Sequence, residues 1–378
     1  MKDRVMKKNT RNIVWILFLA VFSLVSFASL GTAAENWPMF RGNPQRTGTM
    51  APVPPTATAL LGQIAWQSPA GSSIQSSPAL ANDMLYFGSN DGNLYAISAL
   101  NGEARWTFPT DNWIVSSPAV KDGMVVFGGF DSRVYALDAL TGKQLWRFTT
   151  HNNVSSSPAI ANGSVYFGSV DGNVYAVHQK NGWLKWSFKA GREVFGSPSV
   201  ADGVVYIGNH DGKFFALNAE TGKLIWRAIV GGPISSGSAV ANGNVYFGSW
   251  DGKLYCANIK NQAVIWRYNS GGSIESSPLV VNGKVYFGNI RGDMTALDAK
   301  TGAVLWKTAT GQTIASAPSI RGNQLFFGNN NGVIHSLDAT TGQVQWTIKT
   351  KGLVTTSPAV GKDMLFVTGL DSQVYAIR

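Results

Sequence analysis

The side chains that could carry chemistry in this chain of 378 residues are few and scattered. Its histidines, His151, His178, His210 and His335, show no ligand spacing. No Ser-His-Asp set and no phosphate-cradling glycine loop can be placed, and the abundant glycine reads as turn chemistry. What remains is the chemistry of recognition. Asn112, Trp113, Phe130, His151, Asn152, Arg192, Phe195, His210, Trp250 and Glu275 put large rings beside polar groups. Such mixtures are common at binding surfaces, because rings supply contact area and polar groups fix orientation. Singly these residues say little: His210 reads as an exposed loop histidine, and Arg192-Glu193 as a surface pair worth little energy.

These candidates gain meaning from a repeat. Trp66, Trp106, Trp146, Trp186, Trp226, Trp266, Trp306 and Trp346 stand 40 residues apart without a slip. A fixed period of this length marks one supersecondary unit copied many times. Ser-Pro steps such as Ser77-Pro78 and Ser157-Pro158 keep the register, drifting to Gly237-Ser238 and Ala317-Pro318. Apolar runs closed by glycine follow (Val165-Tyr166-Phe167-Gly168), then Asp-Gly turns (Asp171-Gly172), then a second run and the stretch ending in Trp. Each repeat therefore reads as four short strands separated by Gly, Asn and Asp where the backbone needs positive φ. The runs are apolar nearly throughout, which predicts strands covered on both faces. The expected fold is all-β: an eight-bladed β-propeller of four-stranded antiparallel blades. The last repeat stops at Arg378 after three strands, and its fourth is found at Gly62 to Trp66. Pairing of the N-terminal strand with the C-terminal blade is expected to close the ring and remove open edges.

In such a blade, the loops after strand four and between strands two and three share one face. Comparison of the repeats with one another shows that face to be variable, while the other repeats Ala-Asn-Gly or Ala-Asp-Gly and Ala-x-Thr-Gly. All ten candidates fall on the variable face or just inside strand one. The eight periodic tryptophans read instead as structural docking residues between blades, each burying ~150–250 Å².

The N-terminus reads as a targeting segment. Lys2, Arg4, Lys7, Lys8 and Arg11 precede an apolar stretch from Ile13 to Leu30 and the small residues Gly31-Thr32-Ala33-Ala34. This predicts a signal peptide over 1–34, an extended lead-in along the ring surface over 35–60, and the propeller over 61–378. An uncleaved anchor is the alternative reading. The net charge of +10 falls to +6 without the five basic residues and one acid of 1–34. No Lys/Arg cluster is interleaved with aromatics, so nucleic acid is not an expected partner. Cys256 replaces the small Ala of strand three and reads as a buried hydrophobe.

The segment Ala136-Leu137-Asp138-Ala139-Leu140-Thr141-Gly142-Lys143-Gln144-Leu145-Trp146 fits Ala-x-Asp-x-x-x-Gly-Lys-x-x-Trp. It resembles the tryptophan-docking repeat of the pyrroloquinoline-quinone-like propeller superfamily, and the resemblance covers residues 37–378. Copies ending at Trp226 and Trp306 are close, and that from Cys256 to Trp266, with Gln262 for Gly, is the loosest. The quinone-dependent dehydrogenase branch implies an adjacent Cys pair, long insertions, calcium ligands and a catalytic Asp. This chain has one cysteine and no insertion in any blade. It is closer to the branch of compact outer-membrane protein assembly factors, although the lipid-anchoring Cys of that branch's lipoproteins is absent here. The resemblance implies a non-enzymatic, periplasmic or secreted scaffold without cofactor or metal. It is expected to be monomeric, with no stable membrane anchor after signal cleavage, and to bind an envelope protein or peptide on the variable face. A quinone-dependent oxidoreductase and a propeller binding a carbohydrate or other extracellular ligand are the alternatives.

Overall fold

The computed structural model describes residues 36–47 and 59–378; the leader read as a signal peptide lies outside the described residues. No described helix is long and apolar enough to cross a membrane. Among the described residues thirty-two strands form eight four-stranded antiparallel sheets, the blades. The third blade is representative, with strands Ala159–Ala161, Ser164–Gly168, Asn173–His178 and Leu184–Lys189 from the axis outwards. Its first turn places Asn162 at φ 50 and Gly163 at φ 70. Two successive left-handed residues match the twist of a tight hairpin and favour Asn-Gly.

The three inner strands of a blade are buried on both faces, but the fourth is not. Leu184–Lys189 alternates exposed with covered positions, as do its counterparts. The apolar runs therefore overstate burial at the rim, where one face of each outer strand meets solvent. The ring closes through the split blade: Ile64–Pro69 pairs antiparallel with Gln373–Ile377, Trp66 opposite Ala376. Cys256 is fully buried among the strands of blade 5, and burial raises its thiol pKa to about 12.

Neighbouring blades meet through the periodic tryptophans. The Trp146 indole donates to the Gln179 carbonyl at 2.8 Å and lies against Gly182 of the next blade. A Cβ at Gly182 would fall 2.6 Å from the ring, a contact only glycine avoids. Trp146→Ala should cost about 3–5 kcal/mol, as large core truncations do. Trp250→Ala, in a loop with the ring 42% exposed, should cost under about 1 kcal/mol. Urea midpoints of the two variants test this, and equal losses would make Trp250 structural as well.

Residues 36–47 do not run extended along the surface as expected. They fold into turns at the axis. Trp37 bridges Leu80 of blade 1, and Val120, Val200, Val240 and Val280 donate N–H groups to Pro38, Pro44, Gln45 and Thr47. The reason is the inner edge of each blade. Its first strand has no further strand to pair with, and a buried N–H left unpaired is costly. The lead-in supplies acceptors to five of the eight blades. It also buries Arg41 and Arg46, at 1% and 0% exposure. Arg46 donates to the carbonyls of Pro198, Ser157 and Phe40, and Arg41 to that of Pro278. Burial lowers both guanidinium pKa values, that of Arg46 to about 9, and Arg46 lowers Arg41 further.

Candidate functional site

The variable face is assembled blade by blade from one hydrogen-bond pattern. The loop between strands two and three donates an N–H to the connector entering the same blade: Phe130 to Trp113 at 2.8 Å, His210 to Glu193 at 3.0 Å, Trp250 to Pro233 at 2.9 Å. This pairing holds the two variable positions side by side. It brings Trp113 and Phe130 into a stacked pair, centroids 6.2 Å apart, on blade 2. On blades 4 and 5 it makes a continuous row, with Phe195 4.4 Å from His210 and His210 5.5 Å from Trp250. Trp113 and Trp250 are 48% and 42% exposed. Trp250 is nevertheless held, since its indole N–H donates to Ser235 Oγ at 2.8 Å.

The polar candidates divide differently. Arg192 Nε lies 3.5 Å from Glu193 Oε2, an ion-pair rather than a hydrogen-bond contact. Burial lowers the His210 pKa, Glu193 opposes this and Arg192 adds to it. His210 Nε2 is buried without a partner. Asn112 and Asn152 each use the side-chain oxygen on the next N–H, of Trp113 and Asn153, both at 2.8 Å. His151 is exposed and joins neither aromatic group; its N–H is tied to Asp171 at 3.1 Å. Glu275 stands apart from all of these, on the wall of the axial well, where burial raises its carboxyl pKa.

That well was not foreseen from the sequence. It is a cavity of about 170 Å³ on the axis, bounded by Gln75 and Glu275, ringed by serines and bordered by Phe40 of the lead-in. The serines belong to the Ser-Pro steps. Ser77 N–H donates to Ser117 Oγ, Ser117 N–H to Ser157 Oγ and Ser157 N–H to Ser197 Oγ, each at 3.0 Å; Ser357 N–H closes back to Ser77 Oγ at 2.9 Å. The hydroxyl is missing where Gly237 and Ala317 stand. The recurrence of Ser-Pro every 40 residues was the available signal. Its hydroxyls can pair only once the ring has formed.

The aspartates of the Asp-Gly turns are structural. Asp171 accepts from Tyr175 Oη at 2.8 Å, from Asn173 N–H at 2.9 Å and from His151 N–H at 3.1 Å. Among the described residues no group of three or more His, Cys, Asp or Glu comes together as a metal site.

The model of the family described as outer membrane protein assembly factor BamB matches residues 56–215, 130–238, 215–319 and 291–378. The crystal structure of BamB from Moraxella catarrhalis superposes with TM-score 0.74 at 19% identity, over 84% of this chain and 99% of that one. The computationally designed protein Ika8 gives 0.75 at 19% identity over the same shares. Quinohemoprotein alcohol dehydrogenase from Comamonas testosteroni gives 0.80 at 14% identity, over 91% of this chain and 80% of that one. No curated protein matches the chain. At these identities the structural likeness establishes the propeller, which scaffold, enzyme and design share.

Proposed function

The chain belongs to the family of the outer membrane protein assembly factor BamB, and on that premise we propose that it is a non-enzymatic, exported binding scaffold that takes an envelope protein or peptide on its variable face. The observation that carries this is the row Phe195–His210–Trp250 beside the pair Trp113–Phe130. Two half-exposed indoles, Trp113 stacked on Phe130 and Trp250 hydrogen-bonded to Ser235, offer the aromatic area that dominates binding energy at interfaces. The opposite face repeats a glycine turn at seven of its eight junctions, with Leu140 and Trp183 exposed on it.

The alternative is a quinone enzyme, and the well does not fit that cofactor. A polycarboxylate quinone needs cations or a bound metal against its carboxylates. Serine hydroxyls, Gln75 and Glu275 line this well, and among the described residues no Lys or Arg does.

The test is a paired set of variants in a cross-linking capture from an envelope extract. Trp113→Ala combined with Trp250→Ala should abolish capture with the melting temperature retained. Lys143→Glu combined with Lys223→Glu, on the exposed turns of the opposite face, should leave capture unchanged. The reverse pattern would place the site on the other side of the ring.

A further inference from the structure

The junction between blades 4 and 5 departs from the other seven. At those seven, the indole lies against a glycine of the next blade, close enough that an added Cβ would fall 2.6–2.8 Å from the ring. At the eighth, Trp226 faces Gln262, whose φ is 65. With a side chain there, the turn cannot approach to that spacing. A second difference accompanies it, shared with Trp66, whose buried indole N–H also lacks a partner. Tyr86 Oη and Trp106 Nε1 both donate to the carbonyl of Ala139, and Tyr166 and Trp186 likewise to Ala219. The equivalent carbonyl at this junction belongs to Ile259, bulkier than Ala, and neither Tyr206 nor Trp226 reaches it. The Tyr206 and Trp226 rings are 6.4 Å apart, against 5.8 Å for Tyr86 and Trp106.

A third difference opens the space. Phe148 packs edge-on against Phe167 and Tyr175 of the next blade, and Phe108 and Tyr268 do the same at their own junctions. The ring is also absent where Ser68, Thr308 and Ile348 stand, and blade 4 has the smallest side chain of the eight at this position, Ala228. Phe214 stacks on Phe247 at 4.0 Å and takes up part of the gap. A groove of about 320 Å³ remains, lined among others by Trp226, Ala228, Phe247, Tyr255, Gln262 and Arg267. Arg267 is exposed and has no carboxylate within 4.0 Å among the described residues, while Lys253 at the same groove pairs loosely with Asp251 at 3.8 Å.

We propose that this rim groove is a second docking site, which takes the aromatic side chain of an acidic peptide segment of a partner protein. The ring enters the space over Ala228 that Phe148 fills in its own junction and packs against Ala228 and Tyr255, with Phe247 beneath, covered by Phe214. The Trp226 indole N–H, without an acceptor of its own, donates to a peptide carbonyl. A flanking carboxylate pairs with Arg267. The site is separate from the variable face, and its failure leaves the reading of that face intact.

The test uses the whole exported chain labelled with ¹⁵N, with the indole resonance of Trp226 assigned through Trp226→Phe. The probe is a short synthetic peptide with a central phenylalanine flanked by aspartates. Saturable movement of the Trp226 resonance, weakened by salt, is expected. Ala228→Phe, which supplies the missing ring, should weaken binding at least about ten-fold, as should Gln262→Gly, which lets the junction close. Gln262→Gly restores the residue carried by the other seven junctions and keeps the test valid if Ala228→Phe does not fold. Arg267→Glu should weaken binding by about ten-fold and remove most of the salt dependence. Unchanged binding in both groove-filling variants would overturn the proposal. So would equal binding of a leucine-centred or lysine-flanked peptide, equal binding of free phenylalanine, or movement of the Trp250 resonance in place of Trp226.

Discussion

Deleting Ser372–Arg378 is expected to lower the melting temperature of the entire ring, not to fray one end. These residues form the third strand of the split blade, so their loss strips Ile64–Pro69 of its only partner and exposes the next strand inwards, Leu365–Thr368. Val374 and Ile377 are fully buried and are worth ~1.5–3 kcal/mol each. At about 1.5 °C per kcal/mol for a domain of this size, their loss alone moves the midpoint by roughly 4–9 °C. The cut also leaves two newly unpaired strand edges inside the split blade, on Ile64–Pro69 and Leu365–Thr368. A single cooperative transition at lower temperature, seen alike by far-ultraviolet and tryptophan signals, is the expected result. A truncated chain melting at the parent temperature would show that the ring does not depend on its split blade.

Alkaline pH should unfold the protein between about pH 10 and 12. Burial pushes the phenols of Tyr86, Tyr206, Tyr246 and Tyr286 up to about 12, with help from Asp138, Asp202, Cys256 and Asp338 respectively. An unfolded tyrosine ionises near 10. Between these values the folded chain holds more protons than the unfolded one, so stability falls as pH rises. Below about pH 10 the contribution is fully present. The buried arginines act in the opposite sense. Arg46, held at about 9, stays protonated in the unfolded chain over this range, which favours the fold as pH rises. Four buried phenols outweigh two guanidiniums. Phenolate absorbance should appear together with loss of near-ultraviolet dichroism. Tyrosines titrating near pH 10 within an intact fold would contradict the sealed interfaces.

The parts of the structure that were legible in advance are those that repeat. The tryptophan period, the Asp-Gly turns and the divided last repeat each depend on local residues at fixed spacing, and they predicted blades and closure. The variable face was legible because eight copies could be compared, so Phe195, His210 and Trp250 stood out before their rings were seen to touch. The lead-in was not legible. Arg46 meets main-chain carbonyls 111 and 152 residues away, and a carbonyl has no signature in the residue that carries it. The opened junction lay between the two kinds. Gln262 was visible as a departure from the motif, but its consequence falls on Trp226, 36 residues earlier, which looks like every other tryptophan of the series.

The axial seat of residues 36–47 also constrains the order in which the molecule can be completed. Trp37 finds its partner in blade 1, but Thr47 finds its own at Val280 in blade 6. A chain emerging from its N-terminus presents this segment first and its last acceptor-seeking edge only after more than two hundred further residues. Contacts of such sequence separation carry a large loop-closure cost and form late. The earliest part of the described chain is therefore among the last to be satisfied: Arg46 waits for the carbonyls of Ser157 and Pro198 at blades 3 and 4, and Arg41 for that of Pro278 at blade 6. Premature collapse of the early blades onto one another would strand two charges in an apolar interior, so the pair disfavours compact states that close without all their blades.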